Sequence, residues 1–92
     1  MAKLIKSNGE VTEVKPANGK FTLDELYKLT NCNCIEKYRA GTKVFIMDEN
    51  GLPKGLPTNS KAKHALYMAC NGEIDVQEIV GDVLICETSE SN

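Results

Sequence analysis

Two short stretches of mixed apolar and polar character, Ala2 to Lys6 and Glu10 to Lys15, flank Ser7-Asn8-Gly9. That pattern predicts a hairpin, with Asn8-Gly9 as a two-residue turn that tolerates positive φ at both positions. The period then becomes helical. In KFTLDELYKLTN, Thr22 precedes Glu25 by the capping-box spacing, and Phe21 and Leu26 sit at staple positions. Asp24 and Glu25 fall where the helix dipole favours negative charge. The expected helix runs from about Leu23 to Asn31, with Leu23, Leu26, Tyr27 and Thr30 on one face and Leu29 beside it. CIEKYR, from Cys34, reads as a strand and Ala40-Gly41 as a turn. TKVFIMDE is the strongest strand, because Val44 to Met47 is apolar without interruption and suits a strand covered on both faces. Asn50-Gly51 ends it.

A second helix is expected from Asn59 or Ser60 to about Cys70, since SKAKHALYMAC is rich in helix formers. Its apolar residues, Ala62, Ala65, Leu66, Met68 and Ala69, are only roughly spaced for one face, and Asn71-Gly72 is a stop signal. IDVQEIV fits either regular state, and GDVLICE, from Gly81, is a closing strand. The order ββ-α-ββ-α-β predicts one α+β domain over residues 1–92, a small, mostly antiparallel sheet with two helices. Residues 88–92 are polar and are expected to fray.

Size and charge narrow the function classes. A chain of 92 residues buries roughly 60–65% of its unfolded surface, so the core is modest and a homo-oligomer is an expected source of further burial. A net charge of −2 speaks against a nucleic-acid partner, which needs a basic footprint. Lysines interrupt the amino-terminal stretch where a signal peptide would be apolar, and no run is long enough for a membrane span. A cytoplasmic location is expected. Cys32, Cys34, Cys70 and Cys86 read as reduced thiols in that compartment. Cys32 and Cys34 form half of a zinc pattern without a second close pair, so neither metal nor cofactor is expected.

The most unusual stretch is GLPKGLPTNSKAKH, Gly51 to His64. Pro53 and Pro57 fix φ and bias Leu52 and Leu56 toward extended geometry, while Gly51 and Gly55 allow turns. Asn59 or Ser60 suits a helix cap. Turn chemistry alone thus explains most of it, as a stiff loop with its leucines in the core. The charge is what that reading leaves over. Lys54, Lys61, Lys63 and His64 fall here without an acidic residue, whereas no lysine or arginine follows Ala65 and acidic residues accumulate. Lysine at a helix start opposes the dipole unless an anion arrives there. The candidate ligand-binding residues are therefore Lys54, Gly55, Leu56, Asn59, Ser60, Lys61, Lys63 and His64. Arg39, the one arginine, joins them from a neighbouring turn or subunit, with Lys43 near the same edge. Tyr67 suits half-buried core better than a base-stacking platform.

An acidic strand end followed by Gly51, then Gly55-Leu56-Pro57-Thr58-Asn59, then Val80-Gly81-Asp82 before the last strand, resembles a family of short domains of unknown function encoded by phages and bacterial mobile elements. The resemblance implies that genetic setting and no chemistry. Catalysis has no support in the residues: the single histidine lies beside lysines, and no G-x-S-x-G, H-E-x-x-H or P-loop occurs. The leading expectation is a non-enzymatic protein that binds an anionic, nucleotide-derived small molecule, with sequestration of an immune signalling nucleotide as a coherent anti-defence role. The alternative is a protein-interaction module that inhibits a host enzyme through its acidic final segment or a sheet edge. A zinc-stapled domain is a third, weaker reading.

Overall fold

The computed structural model describes residues 2–70 and 79–90. Its elements are β1 (Ala2–Ile5), β2 (Val11–Val14), α1 (Leu23–Thr30), β3 (Ile35–Ala40), β4 (Lys43–Asp48), α2 (Ser60–Ala69) and β5 (Val83–Glu87). The fold is α+β, in the expected order. All pairings between strands are antiparallel, and the sheet order is β2-β1-β5-β4-β3. The last strand in the chain therefore occupies the middle of the sheet. Asn71-Gly72, most of IDVQEIV, and Ser91-Asn92 lie outside the described residues.

Strand alternation sorts the core into two layers. Ala2 and Leu4 of β1, Val44 and Ile46 of β4, and Leu84 and Cys86 of β5 face Phe21 and Leu26 beneath α1. Ile5, Phe45 and Val83 point the other way and meet Ala62 and Leu66 of α2. The two helices thus cover opposite faces, and β4 buries both of its own, as its unbroken apolar run requires.

Local signals placed α1 closely. Thr22 Oγ1 accepts from Glu25 N–H at 3.2 Å and Glu25 Oε1 accepts from Thr22 N–H at 2.9 Å, completing the capping box. Asn31 ends the helix in the left-handed region at φ 55°. Several finer expectations need correction. Leu23 is exposed, because its position in the first turn points past the sheet, and Leu29 packs in its place. Tyr67, Met68 and Ala69 are exposed on α2, where only Ala62 and Leu66 are buried. The first turn is Ser7-Asn8-Gly9, a type I turn closed by Gly9 N–H on Lys6 C=O with Gly9 at φ 95°. Asn8 does not adopt positive φ. In the second hairpin Ala40 still pairs with Lys43, so the turn is Gly41-Thr42, with glycine first at φ 64°. Thr88–Glu90 forms a turn held by Thr88 N–H on Thr42 C=O, and Glu90 C=O accepts from Phe21 N–H at 2.8 Å.

Candidate functional site

The motif residues meet at one end of the sheet. Pro57 to Asn59 runs antiparallel to Ile79 to Gly81 through the Thr58–Val80 bridge, with Asn59 N–H on Ile79 C=O at 2.7 Å and Gly81 N–H on Pro57 C=O at 2.9 Å. Leu56 lies over Gly81, whose missing side chain leaves room for it, while a Cβ on Gly51 would meet Val80. Asn59 is 1% exposed and fully used. Its Nδ2 donates to Ile5 C=O and Gly81 C=O, each at 2.8 Å, while its Oδ1 accepts from Ala62 N–H and so caps α2. The second Gly-Leu-Pro-x-Asn is therefore a corner brace. The first Gly-Leu-Pro differs: Leu52 is 62% exposed, so only Leu56 enters the interior.

The basic residues do not converge on that corner. Lys54 Nζ donates to Asp48 Oδ2 at 2.7 Å, and Lys61 Nζ donates to Gly9 C=O at 2.7 Å, tying α2 to the first hairpin. Ser60 and His64 are exposed on α2, Lys63 is half-buried there, and Gly55 forms an open turn with φ 70°. Arg39 lies opposite Val44 on the α1 face, whereas Lys43 points to the α2 face and pairs with Glu87. One chain cannot bring Arg39 to the start of α2, and the two edge cations do not share a side. These are corrections to the pocket expected from the charge pattern: a strand residue's neighbour in sequence lies on the opposite face.

A different site is built instead. Ser7, Thr30, Asn31, Asp48, Lys54, Leu56, Pro57, Gly81 and Asp82 line a cleft of about 260 Å³ between the end of α1, the end of β4 and the Gly-Leu-Pro corner. Lys54 and Leu56 are the candidates from the sequence that reach it. Asp48 is its buried centre, its side chain 2% exposed, with Oδ1 accepting from Asn50 N–H at 2.8 Å and Oδ2 from Lys54. Burial would raise the Asp48 pKa, but Lys54 and the Asn50 N–H together outweigh it and hold it below its ordinary 3.8. The hydrogen bond to Asp48 in turn raises the Lys54 pKa. Asp82 accepts from Ser7 N–H at 3.2 Å, and Thr30 Oγ1 donates to Leu26 C=O at 2.7 Å. Asp48, Ser7, Asn31 and Asp82 were missed as site residues. The acidic strand end and Val80-Gly81-Asp82 were the available signals.

The lowered Asp48 pKa has a measurable consequence. A depressed carboxyl pKa contributes stability above its unfolded value that is lost as pH falls through the folded one. Glu25 and Glu87 are lowered in the same direction, by backbone N–H groups of Thr22 and Ala17 and by Lys43 respectively. Tm is expected to hold from neutral pH to about pH 5 and to drop below pH 4. Asp48→Asn should flatten that acid limb while lowering Tm at pH 7, as a thermal melt series in low salt would show.

Cys32 and Cys86 are buried and Cys34 is exposed. Burial pushes the Cys86 thiol up to about 11, which leaves it inert. Among the described residues no three His, Cys, Asp or Glu side chains stand close enough to hold a metal ion, and no helix is long and apolar enough to cross a membrane. No curated protein and no solved structure matches the chain significantly. Residues 2–92 do match one family, and the chain with its braced corner and polar cleft belongs to it: DUF3846, a domain of unknown function.

Proposed function

We propose that this protein is a non-enzymatic binder of a small polar molecule, held in the cleft at the sheet end. The supporting observation is the buried Asp48 carboxylate, paired with the exposed Lys54, lining an open cleft beside Asp82. Both members are locked in their charged forms, so neither is poised to exchange a proton near neutral pH, and the cleft favours recognition over catalysis. Lys54 spends one N–H on Asp48 and has two more to offer a ligand oxygen, while Asp82 and Asn31 can receive hydrogen-bond donors. The charged lining residues, Asp48 and Asp82 against Lys54, sum to −1. That disfavours a polyphosphate, while the remaining N–H groups of Lys54 leave room for one anionic group, and a nucleotide-derived molecule is the proposed ligand class. In a phage or mobile-element setting, sequestering such a signalling molecule is the role that follows.

Calorimetry with nucleosides, nucleoside monophosphates and cyclic nucleotides tests this. A monophosphate-class ligand is expected to bind, and Lys54→Met and Asp82→Ala are each expected to weaken it roughly tenfold. No binding across the panel, or binding indifferent to both substitutions, would overturn the reading.

One observation favours a second reading, a protein-interaction module. Among the described residues β3 pairs only with β4, which leaves its outer edge available for strand addition, with Tyr38 40% exposed beside it. The acidic residues Glu73, Asp75 and Glu78, the other surface proposed for that role, lie outside the described residues. A host enzyme bound this way would be lost on Arg39→Pro, which removes an N–H that faces outward and not toward β4, and kept on Lys54→Met.

A further inference from the structure

We propose a second ligand site, independent of the cleft: the groove between β2 and α1 binds a small amphiphilic anion, a carboxylate or phosphate carried on an aliphatic or aromatic body. The groove has about 340 Å³ and is lined by Val14, Lys15, Phe21, Glu25, Lys28 and Leu29. It lies where α1, which packs chiefly over β3, β4 and β5, only partly covers the β2 margin of that face. Val14 pairs with Ala2 and so points to the α1 side, where it and Leu29 pack only partly against the core. Phe21 closes the floor, held in place by its N–H on Glu90 C=O.

The rim supplies the sign of the guest. Lys15 and Lys28 are exposed, and neither has a carboxylate partner among the described residues. Glu25 is the one acid in the lining, and both its oxygens are engaged, Oε1 with Thr22 N–H at 2.9 Å and Oε2 with Ala17 N–H at 3.3 Å. Two lysines against one glutamate leave a charge of +1 beside an apolar floor, and low-dielectric walls focus that field into the groove. A guest with an apolar body covers Val14 and Leu29 above the Phe21 floor, and its anionic head is met by the ammonium groups of Lys15 and Lys28 on the rim. The volume lies at the low end for small-molecule sites and is too small for a docked helix. A free small molecule is therefore the occupant.

The experiment is an NMR titration of the ¹⁵N-labelled protein with octanoate, octan-1-ol and octylammonium. Octanoate is expected to shift the amides of residues 14–15 and 25–29, with octanol roughly tenfold weaker and octylammonium silent. Lys15→Gln/Lys28→Gln should weaken octanoate by about the same factor while the remaining spectrum stays native. Lys54→Met should leave octanoate affinity unchanged, which separates this site from the cleft. Equal affinity for octanol and octanoate, shifts centred elsewhere, or indifference to the double substitution would each overturn the proposal.

Discussion

Asn59→Ala is expected to lower the unfolding free energy by about 3–4 kcal/mol, more than any surface lysine substitution in the chain. The side chain is buried, and its removal leaves the carbonyls of Ile5 and Gly81 and the N–H of Ala62 without the partner it supplies. Each orphaned group costs about 1–3 kcal/mol, and three near the low end of that range give the figure, the lost cap included. Asn59→Asp separates the contributions. The aspartate keeps an oxygen for Ala62 N–H, but it turns two donors into an acceptor facing two carbonyls. If the tether between β1, Gly81 and α2 dominates, Asp will be as damaging as Ala. If capping dominates, Asp will recover most of the loss. Urea unfolding followed by circular dichroism reads the difference, and a loss below about 1 kcal/mol for Asn59→Ala would show that the corner relaxes around the gap.

Asn59 also marks the boundary of what the residues disclose by themselves. Its capping role was legible, because a helix cap is a matter of a few neighbouring positions. Its reach to Ile5 and Gly81 was not, because it needs β5 to lie between β1 and β4. The same division runs through the chain. α1 was legible nearly to the residue from Thr22, Glu25 and Asn31, all local. β4 was legible from its unbroken apolar run. The turns shifted by about one residue, since Asn8 and Ala40 have several acceptable backbone states and strand register decides among them.

The charge pattern misled for a related reason. Lys54 has no acid within the stretch from Gly51 to His64, yet the chain folds back six positions and seats it on Asp48. Lys61 is met by a carbonyl, a partner that no count of acidic residues can reveal. Conversely, the cleft draws Ser7, Asn31, Asp48 and Asp82 from four separate places in the chain. Such a site becomes visible only when the sheet order is known.

The second large effect is expected at Gly81. Its φ is +76°, a region that costs an L-residue about 1–2 kcal/mol, and an added Cβ would stand 2.8 Å from Leu56 Cδ1. Overpacking of that kind adds about 1–3 kcal/mol, so Gly81→Ala is expected to cost about 2–5 kcal/mol in total. Trimming the obstacle tests the second part alone. Leu56→Ala opens a cavity and is destabilising by itself, but in the Gly81→Ala background it also removes the clash. The double variant is therefore expected to be more stable than the sum of the single losses predicts, by about 1 kcal/mol or more, because the residues touch. Strict additivity would mean that the backbone angle, not the leucine, makes glycine necessary there. Since Leu56 and Gly81 both line the cleft, the same pair links stability to binding. A methyl group on Gly81 displaces Leu56 in the lining they share with Asp48, so ligand affinity should fall even in protein cooled well below its Tm.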